Sequence, residues 1–188
     1  MVIDEGNLKR YIEEGMEARR TIDVARVAEA SRILHERLMK GGKLITLGNG
    51  GSAADAQHFA AELSGKFVKE RRSLPAVALT TNTSSITAIG NDYDYSEIFS
   101  RQVEGLCNEN DFVVGISTSG NSENVIKGIE KAKGKGAFTL ALTGRKGGKL
   151  AQVSEMSIRV DSDFTPIIQE VHIAIIHMIC YSIDSLLE

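Results

Sequence analysis

The chain has 188 residues, 42% of them hydrophobic, two cysteines and a net charge of −3. That length supports one substantial core rather than two ordinary domains, and the mildly acidic balance leaves no footprint for nucleic acid. Cys107 and Cys180 are too few for a disulfide framework, so a reducing, cytoplasmic setting is expected. The first residues carry neither a basic n-region nor an apolar h-region, and no uninterrupted apolar run nears the ~20 residues that span a bilayer, so no membrane association is expected.

In chain order, residues near 5–20 and 22–40 read as two leading helices. In the second, Ile22, Val27, Ala30, Ile33, Leu34 and Leu38 recur at helical spacing, and Gly41-Gly42 ends it. Five apolar runs follow, Leu44–Leu47, Ala76–Leu79, Phe112–Ile116, Phe138–Leu142 and Ser157–Val160, each separated from the next by a helical stretch. Runs that are apolar throughout belong to strands buried on both faces. The alternation therefore predicts an α/β fold: a doubly wound, five-stranded parallel sheet flanked by helices. Pro166 to Leu187 reads as a long final helix with proline in its first turn. The expected organisation is a single domain over 1–188, with residues 1–41 forming the leading helices.

Two turns rich in small residues, Gly48-Asn49-Gly50-Gly51-Ser52 and Ser117-Thr118-Ser119-Gly120-Asn121-Ser122, each follow a strand and open a helix. That geometry offers free N–H groups and the positive end of a helix dipole to an anion. In the second turn one hydroxyl suffices to cap the helix, yet Ser117, Thr118, Ser119 and Ser122 supply four, which points to a phosphate. The first turn lacks both a Gly-Lys-Ser/Thr ending and G-x-G-x-x-G spacing, so a nucleotide is disfavoured. A third turn, Thr143 to Lys149, carries three cations that read as solvated surface.

On the helix after the first turn, His58 and Glu62 are four residues apart and share a face. The final helix offers Gln169, Glu170, His172 and His177, with Gln169 and His177 within about 80° of each other around the axis. A surface pair and a core histidine are the plain alternatives. Three of the four histidines fall on these two helices, which favours a shared site. If the helices meet, within a subunit or across an interface, His58, Glu62, Gln169 and His177 supply nitrogen and oxygen ligands for zinc or a similar ion. Glu62 and His177 also suit base and acid roles on a carbon acid, and spacing does not choose between the two.

Together, Gly48 through Leu63, then Gly90-Asn91-Asp92, Gly115 through Ser122, and Gln169-Glu170-Val171-His172 with His177 closely resemble bacterial phosphoheptose isomerases. These are members of the sugar isomerase (SIS) domain superfamily, and the resemblance covers nearly the whole chain. It implies conversion of sedoheptulose 7-phosphate to D-glycero-D-manno-heptose 7-phosphate, the first step toward nucleotide-activated heptose for lipopolysaccharide and related surface polymers. It also implies a homotetramer with active sites between subunits and the leading helices in the assembly core. Carried over by position, Ser117, Thr118, Ser119 and Ser122 hold the phosphate. Asn49, Gly50, Gly51, Ser52, Asn91, Asp92 and Gln169 line the substrate. Glu62 is the general base, also touching substrate, and His177 its acid–base partner. His58, Glu62, Gln169 and His177 bind zinc, one ion per subunit, and no nucleotide or redox cofactor is needed. The alternative is a non-catalytic tetramer of the same superfamily that binds the replication initiator or senses a sugar phosphate. Family members often carry an arginine two residues before the glutamine, whereas this chain has Ile167 after Pro166.

Overall fold

The computed structural model describes residues 4–187, so Met1 to Ile3 of the leading segment and Glu188 lie outside the description. The elements run α1 (Glu5–Arg20), α2 (Val24–Met39), β1 (Leu44–Gly48), α3 (Gly51–Ser64), β2 (Ala76–Ala78), α4 (Thr83–Asp92), α5 (Ser100–Leu106), β3 (Phe112–Ser117), α6 (Glu123–Gly134), β4 (Phe138–Thr143), α7 (Gly148–Val153), β5 (Met156–Arg159) and α8 (Thr165–Leu186), with a short 3-10 turn at Tyr95–Glu97. The five strands form one parallel sheet in the order β2-β1-β3-β4-β5, as the apolar runs predict.

Successive strand residues alternate between two cores. Leu44, Phe112, Val114, Ile116, Leu140 and Leu142 face α2, α3 and α8, and Ala18 of α1 joins the same cluster. Ile45, Leu47, Val113 and Ala141 face α5, α6 and α7. Burial of β1, β3 and β4 on both faces removed any period of two from their sequences, whereas the edge strand β5, one residue earlier than its predicted run, alternates buried Met156 and Ile158 with more exposed Ser157 and Arg159. The hydroxyl of Thr46, inside β1, donates to the Ala56 carbonyl at 2.7 Å and ties the first strand to α3.

Local chemistry sets the leading helices. Asp4 caps α1 through the Gly6 N–H, and Asp23 caps α2 through the Arg26 N–H at 3.0 Å. The Asp23 cap moves the start of α2 to Val24. Ile22 then falls outside the helix, paired in position with Val27 as in a hydrophobic staple. By length and composition α8 is apolar enough to cross a membrane, but here it is a core helix. Its residues Ile167, Ile168, Val171, Ile175, Ile176, Ile179 and Ile183 are buried in the first cluster.

Candidate active site

The sheet order reverses between β1 and β3, and ligands of open parallel sheets bind at such a switch point, beyond the strand carboxyl ends. Both small-residue turns sit there, one after β1 and one after β3.

In the second turn the hydroxyls are bonded to one another. Ser117 Oγ lies 2.9 Å from Ser122 Oγ and 3.5 Å from Ser119 Oγ, and it accepts from the Gly120 N–H at 3.2 Å. Ser122 occupies the N-cap position of α6, yet its side chain caps nothing. The Ser117 and Ser122 hydroxyls thus meet beside the N–H groups that open α6, with Ser119 exposed next to them, an arrangement suited to an anion. The third turn buttresses this loop with backbone. Gly144 N–H donates to Thr118 O at 3.0 Å, Leu150 N–H to Gly120 O at 2.9 Å, and Lys149 N–H to Asn121 Oδ1 at 3.1 Å. Gly120 sits at φ +68°, and a Cβ there would lie 2.0 Å from the Gly147 carbonyl oxygen, so only glycine fits. The cations of the third turn pair with surface acids, Arg145 with Asp161 and Asp163, Lys149 with Glu130.

The first turn presents Asn49, whose side chain exchanges two hydrogen bonds with Asn124 of α6 and accepts a third from Tyr95. Ser52 is buried at the start of α3. The Gln169 amide packs over Gly51 so closely that a Cβ there would lie 2.3 Å from its nitrogen. Asn91 and Asp92 end α4, exposed and joined to each other at 2.8 Å. They lie shortly before Tyr95, whose hydroxyl reaches Asn49 at 3.3 Å.

At the other end of α3 the helices meet again, within one chain. His58 Nε2 is 2.8 Å from His177 Nε2 and 3.4 Å from Glu62 Oε1. One ligand atom from each of the three residues falls within 4.8 Å of the other two. Burial, then the neighbouring His58, holds the His177 imidazole below its ordinary pKa despite Glu62. The Phe67 ring closes one side, 5.4 Å from His177. Two imidazoles and a carboxylate at this spacing are a zinc-type donor set, so the residues fit such an ion. Gln169 does not join them in the chain. It lies eight residues from His177 on α8, about 12 Å along the axis, at the level of Gly51.

A feature that spacing did not predict fixes this end of α3. Arg71, with a side chain 6% exposed, bonds Asp184 on α8 at 2.7 Å and donates to the carbonyls of Glu62 at 2.8 Å and Leu63 at 2.9 Å. Burial works to raise the Asp184 carboxyl, but the N–H groups of Lys69 and Val68, with Arg71, hold it below its ordinary value. The available signal was an acid seven residues after His177, on the same face of the mostly apolar final helix. Asp55 was also missed: it is 6% exposed, and its Oδ2 has no hydrogen-bond partner among the described residues. Burial pushes its carboxyl up to about 6. Ile167, where the family resemblance leads one to expect arginine, is buried, and its Cδ1 packs against Gly15 of α1.

Known proteins share both the sequence and the fold. The SIS domain family matches residues 9–144. A protein of Thermoplasma volcanium named a probable phosphoheptose isomerase is 60% identical over 179 residues, 95% of this chain and 91% of that protein. The phosphoheptose isomerase of Aliarcobacter butzleri is 54% identical over 157 residues, 84% of this chain and 83% of its own. The solved phosphoheptose isomerase GmhA of Neisseria gonorrhoeae superposes with a TM-score of 0.90 at 44% identity, covering 96% of this chain and 98% of that one. With its paired turns at the switch point and its His58–Glu62–His177 cluster, the chain belongs to the phosphoheptose isomerase family of SIS-domain proteins.

Proposed function

We propose that this protein is an aldose–ketose isomerase that converts sedoheptulose 7-phosphate to D-glycero-D-manno-heptose 7-phosphate in the cytoplasm, at the start of heptose biosynthesis. The observation that carries this reading is the pairing of a preformed phosphate turn with a His–Glu–His cluster in a chain of this family. Ser117, Thr118, Ser119 and Ser122 hold the phosphate, while Asn49, Gly50, Gly51, Ser52, Asn91 and Asp92 line the sugar.

In the reaction the ketose carbonyl moves from C2 to C1. The Glu62 carboxylate takes a proton from C1, leaving an enediol, and returns a proton to C2. His177 moves the proton between the two oxygens, from the C1 hydroxyl toward the C2 oxygen. His58, Glu62 and His177 would hold zinc, which when bound supplies Lewis-acid polarisation of the sugar oxygens.

Helix geometry supports an active site shared between subunits. Gly51 and Glu62 are about 16 Å apart along α3 at 1.5 Å per residue. A seven-carbon sugar phosphate, at roughly 1.2 Å per bond, extends only about 10 Å. That separation supports a site in which the turns of one chain and the cluster of another act on the same substrate, with Gln169 as a further metal ligand. Leu8, Ile12 and Met16 support a homotetramer: four residues apart on α1, they are 57%, 60% and 51% exposed, an apolar stripe that a second copy would cover.

The test is to incubate pure protein with sedoheptulose 7-phosphate and follow the aldose by NMR. Wild type forms the aldose and Glu62→Gln does not. No product from wild type, or equal rates from both, would overturn the reading.

A further inference from the structure

Asn49 is the only side chain of the first turn with an amide, and its neighbours decide how that amide faces. Asn124, 3% exposed on the first turn of α6, accepts at Oδ1 from the Val125 N–H at 2.9 Å. That backbone donor fixes which atom of the Asn124 amide is oxygen, and so fixes its partner as well. Asn49 Nδ2 donates to Asn124 Oδ1 at 2.8 Å, and Asn124 Nδ2 donates to Asn49 Oδ1 at 2.9 Å. The Tyr95 hydroxyl donates to the same Asn49 oxygen at 3.3 Å. An amide has two N–H donors and two lone pairs on its oxygen. In Asn49 both lone pairs and one N–H are taken, which leaves a single N–H.

We infer that Asn124, assisted by Tyr95, is a positioning residue that turns Asn49 into a one-donor probe for a carbonyl or hydroxyl oxygen of the sugar. The inference rests on the isomerase reading, in which Asn49 lines the substrate. It also joins the two turns mechanically. Asn124 stands two residues beyond Ser122, so the loop that grips phosphate sets the angle of the side chain that meets the sugar. A misplacement of about 1 Å at such a contact can cost a hundredfold in rate.

A double-mutant cycle tests this with Asn49→Ala, Asn124→Ala and the pair, reading kcat/KM for sedoheptulose 7-phosphate, inorganic phosphate affinity and thermal midpoint. Asn124→Ala is expected to lower kcat/KM about ten- to a hundredfold. Adding it to Asn49→Ala should change kcat/KM less than twofold, because its effect runs through Asn49. Phosphate affinity should stay within about twofold of wild type, since the hydroxyls are untouched. Tyr95→Phe gives a smaller loss, about threefold, in keeping with its long, exposed bond. An active wild type with an additive cycle, or with undiminished kcat/KM in Asn124→Ala, overturns the inference alone. A matching fall in phosphate affinity also overturns it, because Asn124 would then be a prop for the α6 turn. An inactive wild type overturns the isomerase reading and this inference with it.

Discussion

The hydroxyl turn after β3 and the cluster at the far end of α3 differ in almost every physical respect. The turn is built of neutral hydroxyls and backbone, is bonded to itself and to the third turn, and is held at a strand end inside the sheet. The cluster gathers two imidazoles and a carboxylate on helix surfaces, with His58 and Glu62 side chains 38% and 22% exposed. The cluster, crowded with titratable groups, is ready to take a proton or an ion. On the proposed reading, binding is local and built from consecutive residues, whereas chemistry depends on how distant helices pack together.

The largest effects should separate the two regions. Glu62→Gln should lower kcat by 10²- to 10⁴-fold, the range for a positioned general base, and leave KM for the sugar phosphate within a few-fold. Steady-state kinetics read both. Replacing Ser117 and Ser119 together by alanine should do the reverse, raising KM a hundredfold or more with a small change in kcat, since a hydrogen bond to a charged group contributes about 1.5–3 kcal/mol. If kcat falls as steeply as for Glu62→Gln, the division between grip and chemistry is wrong.

Two buried groups give smaller, pH-dependent effects of opposite sign. His172 is fully buried with Nε2 on the Thr143 carbonyl at 3.2 Å, and burial lowers its pKa from 6.5 to about 4. The unfolded chain takes up that proton first, so stability present above pH 6.5 is lost as pH falls toward 4, by up to about 3 kcal/mol. Urea midpoints across that window should show the loss, and His172→Gln should flatten it. Asp55, raised from 3.8 to about 6, favours the fold when protonated, so its contribution is present below pH 3.8 and lost as pH rises through 6. Asp55→Asn should therefore stabilise the protein at pH 8, by no more than about 3 kcal/mol, and change little at pH 4. No gain at pH 8 would mean that the carboxylate has a partner in the assembled protein.

The same contrast explains what the sequence made legible. Strands buried on both faces show as unbroken apolar runs, and turns show their chemistry in consecutive residues, so the sheet and the hydroxyl loop could be read directly. The His58–His177 contact needed two helices 119 residues apart to pack, which spacing could suggest but not decide. Gln169 shares a face with His177, yet it sits two helical turns away, over Gly51, because a face says nothing of level along the axis. Asn124, Tyr95 and Arg71 act only through distant partners, and their own neighbourhoods in the chain carry no pattern that marks them.

The shared site can be tested by mixing two impaired chains, Glu62→Gln and the Ser117→Ala/Ser119→Ala pair, at a substrate concentration near the wild-type KM, where both turn over slowly, under conditions that let subunits exchange. Hybrid assemblies then hold some sites in which an intact turn from one chain faces an intact cluster from another. Aldose formation from sedoheptulose 7-phosphate well above either parent is the predicted result. Hybrids that form, as seen by native mass spectrometry, but stay as slow as their parents would contradict it.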